Sequence, residues 1–341
     1  MIKVLLKDKR FLIGFSFISF LVLASIGNTV FNNGDIRQVQ SIYIDGQLVE
    51  TAPFQPSLAF PLGTDPNGYD LFHIVIEGAK YTIGITLLIA FFQLIVGIVI
   101  GTILSGYFLR TFKVFEHILE TFSVLPVTLV AYFILINVLT MPFDGFAEPF
   151  YVRASFEVII LVLLPLPSVV LYIVKEIQKI LGMEFIKASK ILGASTFRII
   201  FVHVYKHLIQ RFVILFIQQF NQTLIILAHL GLLSMFFGGT VIDYSPLQEP
   251  PKTLSYEWSG LIGDYFEYFF IHPYIPIVPI IFFSLTIISI NLILNSLEST
   301  FTKVNKGKQN SDQKVVEDKE ASGVQKKVTD HSFEFTTFKN L

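Results

Sequence analysis

Hydrophobic and polar positions follow one another along this chain in long blocks rather than short periods. Uncharged apolar runs occupy residues 11–31, 81–109, 121–141, 158–174, 212–237 and 274–297, with polar segments between them. At ~1.5 Å of rise per helical residue, each run spans or nearly spans a hydrocarbon core of ~30 Å. Only helices satisfy every backbone group in lipid at this segment length, so the pattern predicts an all-α membrane protein, a polytopic bundle of six transmembrane helices. Pro126, Pro165, Pro167, Pro276 and Pro279 fall inside or at the ends of the runs. Their missing N–H and ring clash are expected to kink or break helices there. Gly97 and Gly101, continued by Ser105, form a small-residue stripe that lets a second helix pack closely.

The polar blocks divide the chain into a short N-terminus (1–10), the first span (11–31), a loop (32–80), a permeation core (81–301) and a tail (302–341). The loop is rich in Pro and Gly and is expected to be ordered with little regular structure. It ends with Asp65 and Asp70, read as Asx caps in a turn that leads into a helix, since two carboxylates five apart fall short of a calcium loop. The tail is Lys-, Glu-, Ser- and Gln-rich and is expected to be disordered. Between the fourth and fifth runs, residues 183–208 form a basic amphipathic segment. There Gly193 is expected to make a left-handed turn between two short helices and Ser195 to cap the second. On the first, Phe185, Ala188, Ser189 and Leu192 share a face while Lys187 and Lys190 lie elsewhere.

Composition agrees with lipid as the solvent: 53% of the 341 residues are hydrophobic and 15% charged. Charge then orients the bundle, because Lys and Arg resist translocation. With the N-terminus inside, the outer side retains only Arg37, Lys80, Arg153 and Lys252 of 25 basic residues. The protein is therefore expected in the cell membrane, multi-pass, with N- and C-termini cytoplasmic. A cleaved signal peptide fits the first run less well, since the run is longer than a usual signal core and its loss would leave an unbalanced five-span chain. With no cysteine, disulfides, thiolate metal sites and thiol catalysis are excluded.

Polar side chains inside the apolar runs carry the remaining chemistry. Gln218, Asn221, Gln222 and His229 fall within about 100° of one another on a helix and make a polar stripe. Such groups avoid lipid, so the stripe either lines a translocation pathway or bonds to a neighbouring helix, and Asn291 and Asn295 pose the same choice. Glu116, His117 and Glu120 read as a solvated helix start rather than a metal site. No catalytic constellation and no phosphate-binding Gly loop appears, so neither an enzyme nor a cofactor is expected. None of the six runs contains a carboxylate, which weighs against an ion-driven transporter.

Several separated strings resemble one family. Leu62-Gly63-Thr64-Asp65, with Gly68 and Asp70, is similar to the entry of the membrane domain of dipeptide and oligopeptide ATP-binding-cassette importers. The segment from Glu184 through Lys187, Ala188, Ser189, Gly193, Ala194, Ser195 and Arg198 to Phe201 and His203 resembles that family's cytoplasmic coupling loop. Ser105-Gly106-Tyr107, Trp258 with Gly260, and Asn291 fall in the same order. The likeness covers residues 61–297. It implies a C-type permease subunit working with a related B-type permease, two ATPase subunits and an extracellular substrate-binding protein, with membrane lipid around it and no nucleic acid. ATP hydrolysis is then a partner's, and the transported solute a peptide or peptide-like molecule. Three positions depart from the family's loop: Lys187 and Ser189 replace parts of its Glu-Ala-Ala core, and Lys206 stands where a Pro is expected. The alternatives are an accessory subunit that no longer transmits the ATPase stroke, and a transporter or channel without an ATPase.

Overall fold

In a computed structural model, residues 2–122, 124–245 and 250–328 are described. The helices in order are α1 (Ile2–Leu5), α2 (Lys9–Asn32), α3 (Leu71–Gly106), α4 (Leu109–Phe122), α5 (Val127–Leu139), α6 (Phe150–Leu163) and α7 (Leu166–Leu181). They are followed by α8 (Glu184–Ile191), α9 (Thr196–Arg198), α10 (Tyr205–Leu232), α11 (Trp258–Asp264) and α12 (Tyr274–Val328). Two small antiparallel pairs complete the fold, β1 (Ser41–Ile44) with β2 (Gln47–Thr51) and β3 (Thr240–Val241) with β4 (Lys252–Thr253).

Among the described residues, four helices are long and apolar enough to cross a bilayer: Lys9–Asn32, Leu71–Gly106, Thr196–Leu232 and Tyr274–Val304. Phe150–Leu163 and Leu166–Leu181, bent by 40°, make a fifth if taken as one span. The architecture is all-α and polytopic, but six full-length helices are not found among the described residues. The third expected span, 121–141, straddles a break: α4 ends at Phe122 and α5 has 13 residues, ~20 Å of helix. Pro126 accounts for the break, since it caps α5 with an extended backbone (ψ 94°) and cannot continue a helix from α4. Pro165, in the right-handed helical conformation and lacking an N–H, stands between α6 and α7 where the two helices bend. Pro276, in the first turn of α12, lies where a helix tolerates it, and α12 passes Pro279 without interruption.

Three boundaries differ from those read off the sequence. α3 begins at Leu71, N-capped by the Asp70 side chain, ten residues before its uncharged run. The charges that hid this first part, Glu77 and Lys80, pair with each other, leaving Leu71, Ile74, Val75 and Ala79 fully buried. The loop before α3 carries the β1–β2 hairpin where little regular structure was expected. α12 continues to Val328, through most of the segment expected to be disordered; residues 329–341 lie outside the described residues.

The main core gathers α2, α3, α10, α11 and α12 around Trp258, which is fully buried. Its indole Nε1 donates to the Val75 carbonyl at 2.8 Å and its backbone N to Thr82 Oγ1 at 2.9 Å, stitching α11 to α3. α11 reaches α10 only because Gly231 has no side chain, since a Cβ there would lie 2.0 Å from the Ser259 carbonyl oxygen. The Gly97–Gly101 stripe packs on Val169 and Ile173 of α7, the close approach expected of small residues four apart.

Candidate functional site

Between α7 and α10 the chain leaves the bundle and returns. α8 carries Glu184 in its first turn and Lys190 in its last, each favourable to the helix dipole. Ile186 is its one buried residue, and Phe185 lies against the rings of His203 and His207 at 6.5 and 5.5 Å. The helix stops in a Schellman arrangement: Gly193 N–H donates to Lys190 O at 3.0 Å, and Ala194 N–H to Ser189 O at 3.1 Å. Gly193 sits at φ 84°, a conformation that costs any residue with a Cβ. Ser195 Oγ then accepts from Arg198 N–H and starts the next helix.

That next helix is not a separate short element. From Thr196 the chain passes through a π-helical turn, Ile199–Val204, directly into α10. Lys206, in the first turn of α10, keeps its backbone N–H in the ladder, whereas a Pro there would remove it and crowd the preceding turn. The departure from the family's loop thus coincides with an unbroken helix. Its base is held firmly: Ile199, Ile200 and Val204 are buried, Ile200 fills the space over Gly106, and Tyr205 Oη and Thr102 Oγ1 are 2.7 Å apart.

The outer end is apolar and bare. Ile191 and Leu192 are 87% and 88% exposed and Phe197 60%, with nothing within reach of a Cβ built on Gly193. Lys187, Ala188 and Arg198 are exposed beside them, and Ser189 is half-buried with its hydroxyl on the Phe185 carbonyl. Leu192 is legible from helical periodicity, whereas the signal for Ile191 and Phe197 is an apolar side chain on each side of a glycine turn.

The polar stripe of α10 divides. Gln218, Gln222 and His229 are exposed along one edge of the helix, and His229 Nδ1 lies 3.4 Å from Thr128 Oγ1 of α5. Asn221 is half-buried, and its Nδ2 donates to Asn291 Oδ1 of α12 at 3.4 Å. Asn221 and His229 therefore bond to neighbouring helices, and Gln218, Gln222 and His229 are exposed. Asn295 is exposed.

At the far end of α10, a glycine-rich loop is clamped by charges that the sequence reading did not single out. Arg153 Nε donates to Gly238 O at 2.8 Å, and Gly238 N–H donates to Glu157 Oε2 at 3.0 Å. Glu257 Oε1 accepts from Phe237 N–H at 3.3 Å. Arg153 and Glu157, both buried, belong to α6, which begins before the uncharged run 158–174 and so brings in a buried carboxylate that the run itself does not contain. Arg153 and Glu157 at i,i+4 beside an apolar run were the available signal. Asp65 and Asp70 act as caps: Asp65 accepts from Tyr69 N–H and from Tyr265 Oη, and Asp70 from Phe72 N–H. Burial pushes the Asp65 carboxyl up to about 6 and that of Asp264 up to about 7. Lys175 joins Glu116 and Glu120 at 3.5 and 2.8 Å, which ties α4 to α7.

The family model for the binding-protein-dependent transport system inner membrane component matches residues 93–303, which takes in the turn at Gly193, the stripe and the clamped loop. The chain belongs to this family. Among relatives of this inner membrane component, the peptide transport system permease protein SapC of Escherichia coli O6:H1 is 25% identical over 236 residues, 69% of this chain and 71% of the relative. SapC of Haemophilus influenzae is 26% identical over 231 residues, 65% of this chain and 66% of the relative. The glutathione transport system permease protein GsiD of Pectobacterium atrosepticum is 23% identical over 246 residues, 71% and 72% of the two chains. The resemblance to peptide-importer permeases seen in the sequence is borne out, and the inner membrane component is a transport permease of membrane-spanning helices.

Proposed function

We propose that this chain is the permease subunit of an ATP-driven importer of peptides or peptide-like solutes, forming half of the translocation pathway in the cell membrane. In this reading the termini and α8 are cytoplasmic, the β1–β2 hairpin is extracellular, and a B-type permease, two ATPase subunits and an extracellular binding protein complete the machine. Glu184, Lys187, Ala188, Ser189, Gly193, Ala194, Ser195 and Arg198 make the contact with an ATPase, and Gln218, Gln222 and His229 line the pathway facing the second permease. The solute class follows the relatives, a peptide transport permease and a glutathione transport permease.

The observation that carries this reading is the apolar end formed by Ile191, Leu192 and Phe197 on a base locked into the bundle. Bare apolar side chains on an otherwise basic segment are an interaction surface, and the Schellman turn fixes their geometry without help from a partner. The test is Leu192→Asp in the assembled transporter in proteoliposomes, reading solute uptake and solute-stimulated ATP hydrolysis together with subunit recovery. Both activities should fall at least about tenfold, since a charge at the centre of an apolar contact costs more than ~1.4 kcal/mol. Unchanged uptake and hydrolysis with full assembly would instead assign the accessory, non-transmitting role.

A further inference from the structure

At the end of the bundle that carries α8, the last turns of α3 and α7, the start of α4 and the start of α9 line a solvent-open cavity of about 410 Å³, with Lys113 and Lys190 exposed at its rim. Lys113, Gln178, Lys190 and Thr196 line it, with Leu109 and Ile199 among its apolar walls. No carboxylate lines it, and neither Lys113 nor Lys190 forms an ion pair among the described residues. The basic neighbour on α7, Lys175, is by contrast neutralised by two glutamates. Gln178 Nε2 is buried and has no acceptor. A buried amide N–H₂ left without a partner is costly, and two ammonium groups sharing one concavity repel each other. One occupant removes both penalties: an anion with several acceptor oxygens.

We propose that this cavity binds a phosphate group, carried either by the headgroup of an anionic phospholipid or by a soluble phosphate. Lys113 and Lys190 supply charge from α4 and α8, and the Gln178 amide and Thr196 hydroxyl supply directional donors from α7 and α9. A phosphate carries more acceptor oxygens than a planar carboxylate and so suits a site with four donors better. Occupancy ties α8 and the turn at Gly193 to α4 and α7, so the bound group stiffens the base of the exposed apolar end. The site stands independently of the transport reading, since it requires only the cavity and its donors.

The experiment uses the full chain in neutral detergent, offered equimolar phosphatidylglycerol and phosphatidylcholine and read by native mass spectrometry, and in parallel inorganic phosphate read by equilibrium dialysis. Parent protein should retain phosphatidylglycerol over phosphatidylcholine, or bind about one phosphate. Lys113→Gln with Lys190→Gln should weaken whichever probe binds by about tenfold or more, each lysine near an anionic headgroup contributing a severalfold factor. Gln178→Leu should weaken it severalfold, whereas Lys179→Gln, on α7 outside the cavity, should leave it unchanged. The basic cluster of Lys7, Lys9 and Arg10 is present in every variant, so the difference from parent isolates this cavity. Phosphatidylglycerol retention that excess phosphate does not displace assigns the headgroup; phosphate binding without lipid preference assigns the soluble ion. Equal binding by parent and double variant, at unchanged helicity by circular dichroism, overturns the site, as does a parent that retains neither probe.

Discussion

Gly193 and Trp258 show how much single side chains decide here. Gly193 takes φ 84° with open space around it, so Gly193→Ala meets no neighbour and suffers only the left-handed backbone, a local cost of about 1–2 kcal/mol. The expected result is faster hydrogen exchange across 184–198 with an unchanged global melting temperature; an unaffected exchange rate would show that the turn does not depend on this conformation. Trp258→Phe keeps the ring among Phe282 and Phe283 but leaves the Val75 carbonyl without its indole donor. The Val75 carbonyl keeps its helical bond within α3, so the loss of this second bond costs about 0.5–1.5 kcal/mol, to be seen as a lowered melting temperature of the whole chain in detergent.

Between elements, contacts depend on the absence of side chains as much as on their presence. A Cβ at Gly101 would lie 2.7 Å from Ile173 Cγ2, so Gly101→Leu must push α7 away from α3 and should destabilise the chain by about 1–3 kcal/mol or more. Lys206→Pro is the complementary test at the start of α10. It removes an N–H from the continuous Thr196–Leu232 helix and should separate 196–204 from α10, detectable as a new protease-sensitive site near residue 205. Apolar runs located the long helices because length and the absence of charge are local properties. They misplaced the start of α3, where Glu77 and Lys80 cancel by pairing across one turn, and ran the third span from the end of α4 into α5 across Pro126, whose backbone chemistry predicts the break. The exposed edge of Gln218, Gln222 and His229 was legible from 100° periodicity. The clamp on Gly238 was not, since Arg153, Glu157 and Glu257 meet only after three separate elements have packed.

Across the whole molecule, pH acts mainly through the buried carboxyls beside α11. Asp65 and Asp264 hold protons to about pH 6 and 7 because burial disfavours their charged forms. Asp264 faces Asp65 and Lys252 and accepts from Thr253 N–H, while Asp65 faces Tyr265. Between about pH 4 and 7 the folded chain therefore binds more protons than the unfolded one. Stability should fall as pH rises through this window, by up to about 1.4 kcal/mol per pH unit for each group, and level off above it. Asp264→Asn should flatten the upper part of that slope and raise the melting temperature at pH 8, measured by scanning fluorimetry in detergent; an identical pH profile in the variant would refute the assignment.

The helix running from Thr196 to Leu232 has 37 residues, ~55 Å of continuous backbone. One end emerges from the Ser195 cap beside the bare apolar surface; the other runs into the loop gripped by Arg153, Glu157 and Glu257. A member of that kind behaves as a pushrod. Under the proposed ATPase contact, a push at its tip meets the π-helical turn at Ile199–Val204 and is otherwise carried along straight helix to the glycine loop.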